Sequence, residues 1–211
     1  ISLAYRSVLK QYEFFTLPKV HENFIDNIRQ ELGYKNVILT GTSAYGLMDK
    51  DSDVDIVIYS PDIKEGVDIV KNLFYDFFGE YTTMQQYRIE SGNTSRIKFF
   101  SDSVDYDIRI ENNLSKYSEI KYSVVKRKQR IKQFPGLEYV HVFLKKFLKR
   151  SYLLPSFGYP TASLLTDFSY QIIHCNANWI PTDMPNSYYI DGFENNQITN
   201  YDFSFNTNFN Y

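Results

Sequence analysis

The stretch NVILTGTSAYGLMDKDSDVDIVIYS, residues 36–60, contains the features that decide the fold. Its first five residues, NVILT, are typical of a short strand, and they run into Gly41, Thr42 and Ser43. Small residues at such a point allow the backbone to turn tightly and to begin a helix. We therefore predict a strand, a turn and the start of a helix, in that order.

Two aspartates open the second half of this stretch. Residues 53–60 alternate in polarity, which predicts a strand with Asp53 and Asp55 on one face and apolar residues on the other. Because adjacent like charges are costly, the pair favours a bound cation, and carboxylate oxygens suit Mg²⁺. Backbone N–H groups of the turn at 41–43 could hold a phosphate beside it. A pair that faces water at a sheet edge is the alternative.

A third carboxylate on a neighbouring strand would complete a site for two metal ions. The segments RIKFF at 96–100 and VDYDIRI at 104–110 read as a strand pair, in which Asp105, Asp107 and Arg109 share a face. Asp107 is our candidate, and Asp105 is its rival.

The flanking segments are mainly helical. Apolar residues recur at helical spacing, and Gly or Pro marks the ends, at residues 3–15, 19–32, 64–78, 116–150 with a break at Pro135 and Gly136, and 161–173. With the strands, this pattern indicates an α+β protein.

The charge is unevenly distributed along the chain. Residues 116–150 contain 11 Lys and Arg against 2 Asp and Glu, whereas residues 151–211 contain 5 acidic residues and no Lys or Arg. A basic block of this density suggests a polyanionic partner, and a solvated helix face is the alternative.

Several functional classes are excluded by composition. Apolar runs are too short for a membrane span, and residues 1–20 do not resemble a signal peptide. The lone Cys175 and three scattered histidines offer no zinc-binding spacing. We therefore expect an intracellular protein without a membrane partner, in the cytoplasm, nucleus or mitochondrion.

Three motifs carry a resemblance to a known family. GTSAYGLMDKDSDVDIVI, residues 41–58, resembles the pattern Gly-Ser, three residues, Gly-Leu, then Ser-Asp-hydrophobic-Asp-hydrophobic. That pattern belongs to the nucleotidyltransferase superfamily of DNA polymerase β, in its poly(A) polymerase and terminal uridylyltransferase branch. Tyr106-Asp107-Ile108 is similar to the family's third carboxylate, and LKKFLKR at 144–150 with SFGYPTASLL at 156–165 resembles its central helical domain.

The resemblance implies an architecture of two domains. A catalytic domain at 33–115 would have a mixed β-sheet with flanking helices, and residues 1–32 and 116–211 would form a mainly helical central domain. Because family members continue with further helix, we expect the helical domain to be incomplete at its C-terminus.

The resemblance also implies roles for individual residues. The catalytic and metal-binding residues would be Asp53, Asp55 and Asp107, with Mg²⁺ or Mn²⁺ as the cofactor. The nucleotide-binding residues would be Gly41, Thr42, Ser43, Ser52, Ser118, Lys145, Lys149 and Ser163. Ser118 falls near the family's Asn that checks the ribose 2′-hydroxyl, and the family's Ser-Ser-Tyr is Thr161-Ala162-Ser163 here.

The function implied is template-independent transfer of AMP or UMP from ATP or UTP to an RNA 3′ end. RNA would be held by the basic stretch or by a protein partner. Two alternatives remain: a catalytically weak, nucleotidyltransferase-like RNA-binding or scaffold subunit, and a nucleotidyltransferase for small substrates or second messengers.

Overall fold

The computed structural model describes residues 13–79, 83–88, 93–101, 104–133, 136–150, 179–181 and 188–190, and only the backbone of 83–88, 147–150, 179–181 and 188–190. The elements are α1 (Lys19–Leu32), β1 (Val37–Thr40), α2 (Gly41–Tyr45), β2 (Val54–Tyr59), α3 (Ile63–Phe78), β3 (Thr83–Arg88), β4 (Thr94–Phe100), β5 (Asp105–Glu111), α4 (Leu114–Gln133), α5 (Leu137–Arg150), β6 (Trp179–Pro181) and β7 (Tyr188–Ile190). No helix among the described residues has the length and apolar character of a membrane span.

Five strands form a mixed sheet in the order β1-β2-β5-β4-β3. β2 and β5 run parallel at its centre, while the pairs β1–β2, β5–β4 and β4–β3 are antiparallel. Parallel neighbours need a long connection, which α3, β3 and β4 supply here. The protein is therefore a mixed α+β protein, as the sequence predicts.

The core lies between this sheet and the two helices α1 and α3. Phe24 of α1, Phe74 of α3 and Phe99 of β4 are each fully buried. The rings of Phe74 and Phe99 stack at 4.0 Å, and Phe24 meets Phe74 edge-on at 5.5 Å. Such aromatic packing holds the helices against one face of the sheet.

Tyr106, on the central strand β5, connects the sheet to α1. Its hydroxyl shares a hydrogen bond of 2.6 Å with Nδ1 of His21, and both side chains are buried. Burial raises the pKa of Tyr106 and lowers the pKa of His21, so both groups are neutral near pH 7. The contact fixes β5 from the side opposite to Asp105 and Asp107.

The helices predicted at 19–32 and 64–78, and the break in the basic helical region, are confirmed. The helix predicted at 3–15 does not extend over 13–15, which are not helical. Residues 3–12, and the helix predicted at 161–173, lie outside the described residues. The sequence reading missed β3.

The compact units differ from the predicted domain division. One unit is Lys10–Pro135, and the other combines Ile1–Leu9 with Gly136–Tyr211. Helices α1 and α4 thus belong to the same compact unit as the sheet, whereas the resemblance implies that both belong to a helical domain. The reason for α1 is that its apolar side, with Phe24 and Ile28, is part of the sheet's core. A central helical domain remains a prediction.

Candidate active site

Three aspartates meet at the centre of the sheet. Asp55 and Asp107 are register partners on the parallel strands β2 and β5, and Asp53 lies one residue before β2 begins. One carboxylate oxygen from each of the three lies within 4.8 Å of the others. Asp107 is buried, Asp55 is half-buried and Asp53 is exposed, so the group opens to solvent at Asp53.

Asp105, the rival third carboxylate, lies on the same face of β5 as Asp107. Its register partner is Phe100 on β4, because the pairing of β5 with β2 begins only at Tyr106. Its side chain is exposed, and it is not part of the acidic group. The geometry therefore favours Asp107 as the third member.

Two basic side chains of β4 face Asp107. Arg96 donates from Nε to Oδ1 of Asp107 at 2.6 Å and from Nη2 to Oδ2, and Nζ of Lys98 lies 3.7 Å from Oδ2. The hydrogen bond to Asp107 raises the pKa of Arg96, burial opposes this rise, and the charges of the three aspartates add to it. Thus the protein itself partly neutralises its acidic group.

The small-residue turn lies directly beside these aspartates. Thr40, which precedes the turn, is the register partner of Asp55. Gly41 has a positive φ of 57°, and the hydroxyl of Ser43 donates to the carbonyl of Thr40 at 2.7 Å. Thr42 is buried and Ser43 is half-buried. The turn therefore has a defined shape next to Asp55, and its role in binding a phosphate remains a prediction.

Ser52 organises the loop that leads to Asp53. Its hydroxyl donates to Oδ1 of Asp49 at 2.7 Å and accepts from the backbone N–H of Asp49 at 2.9 Å. Because a serine hydroxyl has a single proton, a phosphate would have to compete with Asp49 for it. Its role in nucleotide binding remains a prediction.

The other predicted nucleotide-binding residues lie elsewhere. Ser118 is exposed on α4, and Lys145 is half-buried on α5. Lys149 is four residues further along α5, and only its backbone is described. Ser163 lies outside the described residues.

An open cleft of about 560 Å³ lies beside the acidic group. It is lined by residues 50–53 from the loop before β2, by Lys98, Phe100 and Ser101, and by residues 104–107. The cleft brings solvent, and space for a small ligand, to Asp53 and Asp107.

The acidic group has the composition of a metal site. All of its donors are carboxylate oxygens, which hard divalent cations prefer, and their separation allows one ion to contact all three side chains. Asp53, Asp55 and Asp107 could therefore hold a divalent cation.

The sequence reading did not identify Arg96 and Lys98 as part of the site. The segment RIKFF predicts a strand, but the contacts with Asp107 depend on the register between β4 and β5. The one available signal was alternation, which places both basic side chains on one face of a strand.

Comparison with protein families gives a match over most of the unit that carries the site. The family described as "Nucleotidyltransferase domain" matches residues 21–149. A second family, described as "Type 9 secretion system plug protein 1st domain", matches residues 161–211. A search of curated proteins found no significant match in sequence.

Solved structures share the fold at low sequence identity. A mutant of the Cid1 poly(U) polymerase bound to MgATP is 17% identical, with a TM-score of 0.56 over 86% of this chain and 62% of its own. Terminal uridylyl transferase 4 from Trypanosoma brucei with bound UTP is 16% identical, with a TM-score of 0.54 over 85% of this chain and 59% of its own. The chain thus spans less than two thirds of the length of either structure.

Proposed function

This chain belongs to the nucleotidyltransferase domain family, and we propose that it adds AMP or UMP, without a template, from ATP or UTP to the 3′ end of an RNA. The observation that carries the proposal is the convergence of Asp53, Asp55 and Asp107, whose carboxylate oxygens lie within 4.8 Å of one another. Phosphoryl transfer needs concentrated positive charge at the reacting phosphate, and divalent cations bound by these three carboxylates would provide it.

In the proposed reaction, the 3′-hydroxyl of the RNA attacks the α-phosphorus of the nucleoside triphosphate, and pyrophosphate leaves. The three aspartates would hold Mg²⁺ or Mn²⁺, which when bound supplies the charge that activates the hydroxyl and stabilises the leaving group. The turn at Gly41–Ser43 would hold phosphate oxygens through its backbone N–H groups. Lys145 and Lys149 would neutralise the charge that develops on pyrophosphate.

The choice of RNA as the substrate rests on two supports. The basic residues of 116–150 suit a polyanion. The chain also shares its fold with proteins described as a poly(U) polymerase and a terminal uridylyl transferase. A choice between ATP and UTP is left to experiment.

A second candidate function is a catalytically weak RNA-binding subunit. The observation in its favour is that Arg96 donates to both carboxylate oxygens of Asp107 and that Lys98 lies near one of them. Arg96 and Lys98 thus supply Asp107 with positive charge that a metal ion would otherwise supply. If they prevent metal binding altogether, the fold would serve only to hold RNA or a protein partner.

Extension of a 5′-labelled RNA with Mg²⁺ and each of the four triphosphates separately tests both candidates. The proposed function gives a ladder of products with ATP or UTP, whereas one added nucleotide indicates a terminal transferase of limited extent. RNA binding without extension by any triphosphate, under Mg²⁺ and under Mn²⁺, supports the scaffold instead.

The Asp55→Asn variant should lower the rate of nucleotide addition about 1,000-fold, because a bound metal ion contributes several kcal/mol of transition-state stabilisation. Its melting temperature should stay within a few degrees of the unmodified protein. Asp105→Asn is the matched control, since Asp105 is exposed on the same sheet and lies outside the acidic group. Full activity of Asp55→Asn, or an equal loss in Asp105→Asn, would contradict the assigned site.

A further inference from the structure

Helix α4 has an unusual charge and little burial. It contains one acidic residue, Glu119, and the basic residues Lys116, Lys121, Lys126, Arg127, Lys128, Arg130 and Lys132. Of its side chains, only Tyr117 and Val124 are buried. Packing against the rest of its unit therefore does not explain the composition of this helix.

The helix is fixed next to the candidate active site. Arg127 donates to the hydroxyl of Tyr45 at 2.8 Å, and Tyr45 is the last residue of the short helix that begins with the turn at Gly41. At its other end, the hydroxyl of Tyr117 donates to the carbonyl of Lys35 at 2.8 Å, and its ring packs against Tyr59. The part of α4 around Arg127 thus lies beside the short helix that begins with the turn.

The outer side of α4 combines basic and aromatic groups. Tyr122 is 56% exposed, and Nζ of Lys126 lies 5.3 Å from the centre of its ring. Lys128 and Lys132 are also exposed, and their four-residue spacing places them on a common side of the helix. That side is turned away from Lys126, because residues two apart on a helix do not face each other. An exposed ring can stack on a base while lysines contact phosphates, which is how proteins bind single-stranded nucleic acids.

We propose that single-stranded RNA upstream of the 3′ end that enters the active site crosses the exposed part of α4. There it would contact Tyr122, Lys126, Lys128 and Lys132, which we name the α4 surface. The choice of RNA rests on the proposed function. A membrane surface is disfavoured because a helix that lies on a bilayer has a broad apolar side, whereas α4 exposes only three large apolar side chains, Leu114, Tyr122 and Val125.

Charge removal tests the lysines of the α4 surface. Lys126→Gln, Lys128→Gln and Lys132→Gln, combined in the full chain, should weaken binding of a fluorescein-labelled 15-nucleotide oligo(U) about tenfold, because three phosphate contacts are lost. Binding is measured by fluorescence anisotropy with EDTA and without triphosphate. The matched control combines Lys19→Gln, Lys35→Gln and Lys64→Gln, three exposed lysines of the same unit that lie outside α4. An equal loss in the control would overturn the assignment.

Substitution of Tyr122 tests stacking separately from charge. Tyr122→Ala should weaken RNA binding about fivefold, and Tyr122→Phe should keep the affinity of the unmodified protein, since a phenyl ring also stacks on bases. Both side chains stand at an exposed position, so thermal melting should not change. Equal affinity of the alanine and phenylalanine variants would overturn the stacking role.

Two further measurements separate this inference from the proposed function. If the lysine variant binds RNA normally while the unmodified protein extends RNA, the inference fails and the proposed function stands. If the variant loses RNA binding but no nucleotide is added by the unmodified protein, the proposed function fails and the inference stands. Binding to phosphatidylserine vesicles that exceeds RNA binding, and is lost in the same variant, would replace RNA by a membrane and overturn the proposal.

Discussion

Asp107 faces two other aspartates on one side and two basic residues of β4 on the other. Arg96 holds both of its oxygens, and Lys98 lies within 4 Å of one of them. Without such partners, the charge of a buried carboxylate next to Asp55 would be strongly destabilised by burial and by repulsion. A divalent cation offers the same compensation, so Arg96 and the metal ion compete for one side chain.

The Arg96→Gln variant should therefore bind a divalent cation more tightly. We expect about a fivefold gain in affinity for Mn²⁺, because two charge-assisted hydrogen bonds are removed while the 45% exposure of Arg96 lets water screen part of their effect. Electron paramagnetic resonance of free Mn²⁺ measures the affinity without any catalytic assay.

Lys50→Gln is the control for Arg96→Gln, since Lys50 is an exposed cation that lines the same cleft and has no contact with Asp107 among those described. It should change the Mn²⁺ affinity by less than twofold. A weaker affinity in Arg96→Gln would show instead that Arg96 orients Asp107 for the metal ion.

The aspartates could be found from the sequence, whereas the residues that neutralise them could not. Asp53 and Asp55 stand out because alternation places two charges on one face of an otherwise apolar strand. Asp107 needed the family's motif, since alternation alone also allowed Asp105. Arg96 and Lys98 contact Asp107 only through the register of an antiparallel pair, and a strand pattern does not specify register.

Helix α1 shows how one amphipathic element joins the sheet. Phe24 is fully buried and contacts the rings of Phe74 and Tyr106 edge-on, at 5.5 Å and 5.2 Å. Val20, on the same helix, is 43% exposed. Substitutions at Phe24 therefore test the packing of α1 against the sheet, and substitutions at Val20 serve as a control on the same helix.

The Phe24→Ala variant should lower the free energy of unfolding by about 3–5 kcal/mol, the range for deletion of a fully buried aromatic ring. Urea denaturation followed by circular dichroism measures this change. Val20→Ala should cost less than about 0.5 kcal/mol, as is usual for an exposed position. Equal losses in the two variants would contradict the packing of α1 against the sheet.

Hydrophobic periodicity predicts elements better than it predicts their partners. The bounds of α1 match those predicted, because 14 residues with helical spacing and a following glycine define both ends. The pattern shows that α1 has a face to bury, but not that this face meets the sheet. β3 was missed because its sequence, TMQQYR, has no apolar alternation, and its place at the sheet edge depends on pairing with β4.

At the scale of the whole chain, charge is segregated rather than balanced. The net charge is −2, so a uniform distribution would repel RNA weakly. Instead, residues 116–150 hold almost half of the basic residues, 11 of 23, with only 2 acidic ones. The field at this segment is thus positive, although the chain as a whole is slightly acidic.

This segregation predicts a strong effect of salt on RNA binding. If three phosphates are neutralised, raising KCl from about 50 to about 200 mM should weaken binding of oligo(U) about 20-fold, because each contact releases a counterion. Nucleotide addition to a dinucleotide, which is too short to reach along α4, should change far less over the same range. Fluorescence anisotropy and primer extension at four salt concentrations measure the two responses. A flat response of RNA binding would contradict a polyanionic partner, since it would show that few phosphates are contacted.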